Sequence, residues 1–119
     1  MLKYSQDHEW LRAEGDEIVV GITAHASEQL GDVVFIELPE EGREVEAGEE
    51  VVVIESVKAA SDISAPIAGV ITAVNSALAD APGSVNDDAT AAWFFRIKPA
   101  DPSAIEGFMD EDAYQALIG

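Results

Sequence analysis

Apolar positions in this chain come in short runs rich in valine and isoleucine, broken by turn signals at close intervals. The breaks are Glu14-Gly15-Asp16, Gly31-Asp32, Pro39-Glu40-Glu41-Gly42, Ala47-Gly48, Pro66 to Gly69 and Pro82-Gly83. Short β-branched runs between closely spaced turns predict a compact β-sandwich or barrel. Glu9 to Ala13 and Glu17 to Ile22 read as a hairpin about Glu14-Gly15-Asp16. Asp32 to Leu38 reads as a strand stopped by Pro39, and Glu49 to Ser56 as the next. Val51-Val52-Val53-Ile54 is apolar at every position, a pattern expected of a strand covered on both faces. Ile63 to Ala65, Val70 to Val74 and Trp93 to Ile97 complete the predicted strands, the last ended by Pro99.

Helical patterns are few. Thr23 to Leu30 fits one short helix, with Thr23 able to cap its start and Gly31 able to take a left-handed conformation at its end. Asn75 to Ala81 fits a helical turn. The tail turns helical, with Asp101 as a cap before Pro102 and then Asp110 to Ile118, whose first-turn acids suit the helix dipole. Trp10, Trp93, Phe94 and Phe95 are expected in the core. Gly42…Val45…Gly48…Val51 and Gly69…Val70…Val74 form a faint echo, open to chance likeness or to a barrel of two related halves.

At 119 residues the chain has the size of one domain, taken as residues 1–119. With 48% hydrophobic residues it is too apolar for disorder, and no apolar run approaches the roughly 18 residues of a membrane span. Met1 to His8 holds no apolar segment of signal-peptide type, so a cytoplasmic location is expected. Cysteine is absent, so any sulfur redox chemistry must come from an attached or bound group.

Six Lys+Arg against 24 Asp+Glu give a formal net charge of −18. Phosphate-backbone binding needs clustered cations, so nucleic acid is excluded as a partner and anionic membranes are disfavoured. The negative field fits docking to basic protein surfaces, or solubility alone. It also opposes close self-packing, and a monomer is expected.

Against that background one lysine stands out. Only Lys3, Lys58 and Lys98 occur, and Lys58 interrupts the most hydrophobic part of the chain, in Glu55-Ser56-Val57-Lys58-Ala59-Ala60-Ser61-Asp62. A lysine between two converging strands projects from a hairpin tip, where its amine is accessible to acylation. An ordinary solvated turn lysine fits the same position.

The neighbouring motifs decide between these. His8-Glu9-Trp10, Val20-Gly21-Ile22-Thr23, Glu28-Gln29-Leu30-Gly31-Asp32, Glu37-Leu38-Pro39, Glu55-Ser56-Val57-Lys58-Ala59 with Ser61-Asp62 and Ala65-Pro66, Val70 through Val74-Asn75, Val85-Asn86, and Trp93 leading to Ile97-Lys98-Pro99 follow in order from about Lys3 to Leu117. The chain resembles the H protein of the glycine cleavage system. That resemblance implies a flattened β-barrel or sandwich, a barrel-sandwich hybrid of lipoyl-domain type, with short peripheral helices and a helical C-terminal tail.

The resemblance also implies lipoic acid in amide linkage on Lys58, and a carrier without a catalytic centre. The lipoyl arm would take an aminomethyl group from a pyridoxal-phosphate-dependent (PLP-dependent) glycine decarboxylase. It would deliver that group to a tetrahydrofolate-dependent aminomethyltransferase and be reoxidised by dihydrolipoamide dehydrogenase. Glu55, Val57, Ala59 and Gly69 would serve recognition by lipoyl-attaching enzymes. Glu9 and Asp62 are candidates for a cleft that holds the cationic, loaded arm. Physical chemistry agrees: lipoamide supplies chemistry side chains lack, and tethering raises its concentration at each docked site.

Two stretches depart from the family pattern. Asp87-Asp88-Ala89-Thr90-Ala91-Ala92 replaces a Pro-Tyr-Gly-like stretch before Trp93, and Asp7 stands where a smaller polar residue is expected. Other readings have less support. His8 and His25 have no metal-ligand spacing, the serines have no nucleophile-elbow context, and Val57 and Ala59 replace the methionines that usually flank a biotinyl lysine. Two alternatives remain, a lipoyl carrier for another pathway such as a lipoyl relay, and a regulatory domain with an unmodified lysine.

Overall fold

A computed structural model describes residues 2–118. Among the described residues nine strands form two antiparallel sheets. The larger contains β1 (Leu2–Tyr4), β2 (Glu9–Glu14), β3 (Glu17–Ile22), β5 (Glu44–Val45), β8 (Gly69–Val74) and β9 (Phe95–Pro99), in the order β1-β2-β3-β9-β8-β5. The smaller contains β4 (Val33–Glu37), β6 (Glu50–Ser56) and β7 (Ala60–Ser64), in the order β4-β6-β7. The molecule measures 37 × 35 × 21 Å, so the expected flattened sandwich is the observed shape. Leu11, Val20, Ile36, Ile54, Ile71 and Phe95 meet in one core cluster.

The hairpin at Glu14-Gly15-Asp16 forms as expected, with Glu14 paired to Glu17 and Gly15 at φ +63°. A positive φ at the first loop position suits the right-handed twist of the two strands. Opposite Trp10 lies Gly21, where a β-carbon would come within 2.5 Å of the indole. The ring therefore occupies the space a side chain at Gly21 would need. Trp10 Nε1 donates to the Ala89 carbonyl at 3.1 Å, which pins the segment that leads into Trp93.

Helix α1 (Ala24–Leu30) is capped as expected, with Thr23 Oγ1 accepting from the Ala26 amide at 3.3 Å. Gly31 ends it at φ +80° and ψ −159°. This is the positive-φ half of the map, though in the extended mirror region open only to glycine. Helix α2 (Ala77–Asp80) lies within the predicted turn, while the short α3 (Ser84–Asp87) had no periodicity to announce it. Pro102–Gly107 forms a 3-10 turn capped by Asp101, and α4 (Glu111–Ile118) follows with Glu111 and Asp112 in its first turn.

Some expectations change. Continuous burial falls on Ile18 to Ile22 in β3, which is flanked by β2 and β9 and closed on both faces. In β6, Val53 is half exposed because it points to the outer face of the small sheet, level with Glu37 and Asp62. Trp93 is half exposed outside β9, whereas Phe94 and Phe95 are buried as expected. Strand β7 begins at Ala60, which shortens the turn around Lys58. Strands β1 and β5 are too short to show alternation. The two echo segments lie side by side, β5 pairing with β8 through Glu44–Val70 and Val45–Gly69.

Candidate functional site

The β6–β7 hairpin carries Lys58 at an exposed tip. Glu55 pairs with Ala60 at the last rung, and Val57, Lys58 and Ala59 turn the chain. The hydroxyl of Ser56 organises this turn. It accepts from the amides of Lys58 and Ala59, each at 3.2 Å, and donates to the Ala59 carbonyl at 3.1 Å. The Ser56 amide closes the loop on the Ala59 carbonyl at 2.8 Å. With two local donors satisfied by one side chain, the tip has little freedom to reorient the lysine.

A second contact fixes the tip to the body of the molecule. The Val57 amide donates to the Asp32 carbonyl at 3.0 Å, and the aliphatic stem of Lys58 lies over Gly31. Asn86 in α3 holds this junction from behind. Its Nδ2 donates to the Gly31 carbonyl at 2.7 Å, and its Oδ1 accepts from the Val33 amide at 2.8 Å. Arg12, Arg43, Arg96 and Lys98 each pair with a carboxylate, while Lys58 makes no ion pair among the described residues. Its amine is free to react. Ser56 and Asn86 have no role in the sequence reading, and Gly31 only that of ending α1, though all three lie within the motifs named there.

Beside the hairpin opens a cleft of about 690 Å³. One wall is the segment Gln6 to Glu9, the other is α1 through Ala26, Gln29 and Leu30, and the floor comes from β6 and β7. Glu9 and Asp62, distant in sequence, both line it. Asp62 is exposed on the edge strand β7. Glu9 is only 2% exposed. Ser5 Oγ donates to Glu9 Oε1 at 3.0 Å and accepts from the Glu9 amide at 3.2 Å. Burial pushes the Glu9 carboxyl up to about 8, and the nearby Asp7 charge adds to the rise, while hydrogen bonds from Ser5 and the Ser64 backbone oppose it.

A buried carboxyl of this kind holds its proton at neutral pH and gives it up when a cation arrives. The cleft therefore suits a small group ending in an amine.

The other sequence-named residues divide by place. Glu55, Val57 and Ala59 flank Lys58 and are exposed. Gly69 lies in the larger sheet, where a β-carbon would meet the Lys98 carbonyl oxygen at 2.2 Å, so its visible job is the close approach of β8 to β9.

Comparison with known proteins agrees with this geometry. The model of the glycine cleavage H-protein family matches residues 2–119. The glycine cleavage system H protein 2 of Pseudomonas aeruginosa is 53% identical over 118 residues, covering 98% of this chain and 92% of that protein. The glycine cleavage system H protein of Acidiphilium cryptum is 56% identical over 117 residues, covering 98% and 94%. The crystal structure of a glycine cleavage system H protein from Mycobacterium marinum superposes with a TM-score of 0.89 at 38% identity, covering 99% of this chain and 96% of that one. The chain belongs to the glycine cleavage H-protein family, and it is a non-catalytic carrier of covalently bound lipoate in glycine cleavage.

Proposed function

We propose that Lys58 is the lipoyl attachment site and that the neighbouring cleft shelters the loaded arm. The observation that supports this most directly is the free amine of Lys58 on a braced hairpin beside a cleft containing Glu9 and Asp62. A lipoyl group on Lys58 supplies a dithiolane that takes up a one-carbon unit and exchanges electrons. Every other contribution comes from the chain. The Ser56 turn sets the direction of the arm, and Glu9 and Asp62 offer carboxylates to a cationic amine. The apolar stretch from Leu30 to Ile54 and Ile63 limits water around the cargo.

The partners follow from this carrier role. They are the PLP-dependent glycine decarboxylase that supplies the aminomethyl group, the aminomethyltransferase that takes it, and the dihydrolipoamide dehydrogenase that restores the disulfide. Lipoyl-attaching enzymes read the tip through Glu55, Val57 and Ala59, with Gly69 contributing only by shaping the second sheet. The whole chain works as one carrier domain, as a monomer kept apart by its charge of −18, in the cytoplasm.

Intact mass with peptide mapping of the native protein tests this reading. A lipoyl increment is expected on Lys58, and Lys58→Arg abolishes it while leaving the fold unchanged. An increment on another residue, or none from cells that lipoylate other proteins, overturns the assignment. Glycine-dependent bicarbonate exchange with the decarboxylase, lost in Lys58→Arg, ties the attached group to the pathway.

A further inference from the structure

Beside a direct backbone bond from the Thr23 amide to the His8 carbonyl, the two walls of the cleft share a buried hydroxyl that belongs to neither. Tyr114 projects from α4 and is 2% exposed. Its phenolic oxygen lies 2.9 Å from His8 Nδ1 and 2.7 Å from Thr23 Oγ1. His8 lies in the Gln6–Glu9 wall, and Thr23 is the N-cap of α1, the opposite wall. We infer that Tyr114 is a positioning residue that sets the spacing of the cleft walls, so that the C-terminal helix governs how well the carrier retains its cargo.

Three observations carry this. First, His8 has φ +66°, the sole positive value at a non-glycine among the described residues. A side-chain-bearing residue in that region is strained and persists only when its surroundings enforce it. Here the enforcement is visible. The His8 amide donates to the Ser5 carbonyl at 3.2 Å, its carbonyl accepts from the Thr23 amide at 3.0 Å, and its ring meets Tyr114.

Second, Glu9 follows His8 directly, so the backbone at His8 aims the carboxyl that faces the cleft. Third, Tyr114 is itself held in place. Its ring stacks on Tyr4 with centroids 4.6 Å apart and planes 9° apart, and Tyr4 exchanges backbone bonds with Met109 just before α4. The hydroxyl thus sits on a braced support, fixed independently of the two groups it joins. Tyr114 does not line the cleft, so it acts through His8 and Thr23.

This inference rests on the cleft reading above, and the test separates the two. Tyr114→Phe keeps the ring and its stacking and removes only the oxygen. In the full-length, unloaded protein, amide hydrogen exchange of residues 6–9 and 24–27 is expected to speed up about tenfold, with the circular dichroism of the fold unchanged. In the lipoylated protein carrying an aminomethyl group, loss of that group without tetrahydrofolate is expected to rise about three- to tenfold.

His8→Asn tolerates the positive φ but lacks the ring, and it should behave alike. Ile71→Val loosens the core beneath β8, two strands from β3 in the same sheet, and should leave both readouts native. Native exchange and native lifetime in Tyr114→Phe overturn the inference, as does an equal change in Ile71→Val. If the native lipoylated protein holds no aminomethyl group, the cleft reading fails, and the exchange measurement alone judges the tether.

Discussion

The stem of Lys58 lies so close over Gly31 that a β-carbon there would come within 3.1 Å of Lys58 Cε and 3.3 Å of its Cδ. Gly31 also occupies a region of the backbone map reserved for glycine, at φ +80° and ψ −159°. Gly31→Ala therefore has two separable effects. The backbone strain lowers stability by about 1–3 kcal/mol, read by urea melts. The added methyl displaces the lysine stem, which slows lipoate attachment by the ligating enzyme even where the variant is fully folded. A variant that is destabilised yet lipoylated at the native rate would show that the stem contact plays no part in presentation.

Glu9 links the cleft to the stability of the fold. Its carboxyl titrates at an ordinary 4.5 when unfolded and at about 8 in the native protein. Between these values the unfolded chain has lost the proton and the native chain keeps it, so rising pH favours unfolding. The contribution is complete below about pH 4.5 and is lost toward pH 8, at on the order of 1 kcal/mol per pH unit. Glu9→Gln removes this titration. Relative to the native protein it should gain stability from about pH 5 to about pH 8. A constant difference between the two urea-melt series would refute the buried, neutral carboxyl. Glu9→Ala, lacking both the charge and the hydrogen bond, should also shorten the life of the loaded arm.

Gly21 and Trp10 are matched across β2 and β3. A β-carbon at Gly21 would sit 2.5 Å from Trp10 Cε2 and Cζ2, and the indole cannot retreat because Nε1 is bonded to Ala89. Gly21→Ala should cost about 1–3 kcal/mol by overpacking. In a domain of this size that lowers the melting temperature by about 4 °C or more. The indole must also leave the Ala89 carbonyl, so the tryptophan emission should shift to the red. An unshifted melt would mean the ring slides freely.

Parts of this molecule are legible in its sequence. The hairpin at Gly15, the Thr23 cap and the Asp101 cap are local devices, each written in a few adjacent residues. Lys58 at a strand-to-strand turn belongs to the same class. Glu9 was reachable only through the motif around His8, because its burial depends on β7 and Ser5 closing over it. Tyr114 was missed for a related reason. Its partners lie 106 and 91 residues away, and nothing in Asp112-Ala113-Tyr114-Gln115 distinguishes it from an ordinary helix residue. Trp93 shows the reverse error, since a tryptophan beside two buried phenylalanines looks like core until the strand is seen to begin at Phe95.

Asp7 is the exposed charge with the most direct consequence for the cleft. It is exposed, lines the cleft, and raises the Glu9 carboxyl through its charge, an effect second to burial among those that push it upward. Asp7→Ser should therefore lower the Glu9 titration midpoint from about 8 without restoring 4.5, because desolvation persists. Carbon-detected NMR of the Glu9 carboxyl reads this directly. Salt provides an independent check. The Debye length shrinks from about 10 Å at 0.1 M to about 3 Å at 1 M, so salt should screen an exposed aspartate and move the native midpoint the same way. Salt should then leave the Asp7→Ser midpoint nearly unmoved. A fall to the ordinary carboxylate range in Asp7→Ser would assign the shift to charge rather than burial. A salt response that survives the substitution would assign it to acids other than Asp7. The expected pattern, a partial fall and a lost salt response, leaves Glu9 neutral in the empty cleft and Asp7 as the standing charge that first attracts a cationic cargo.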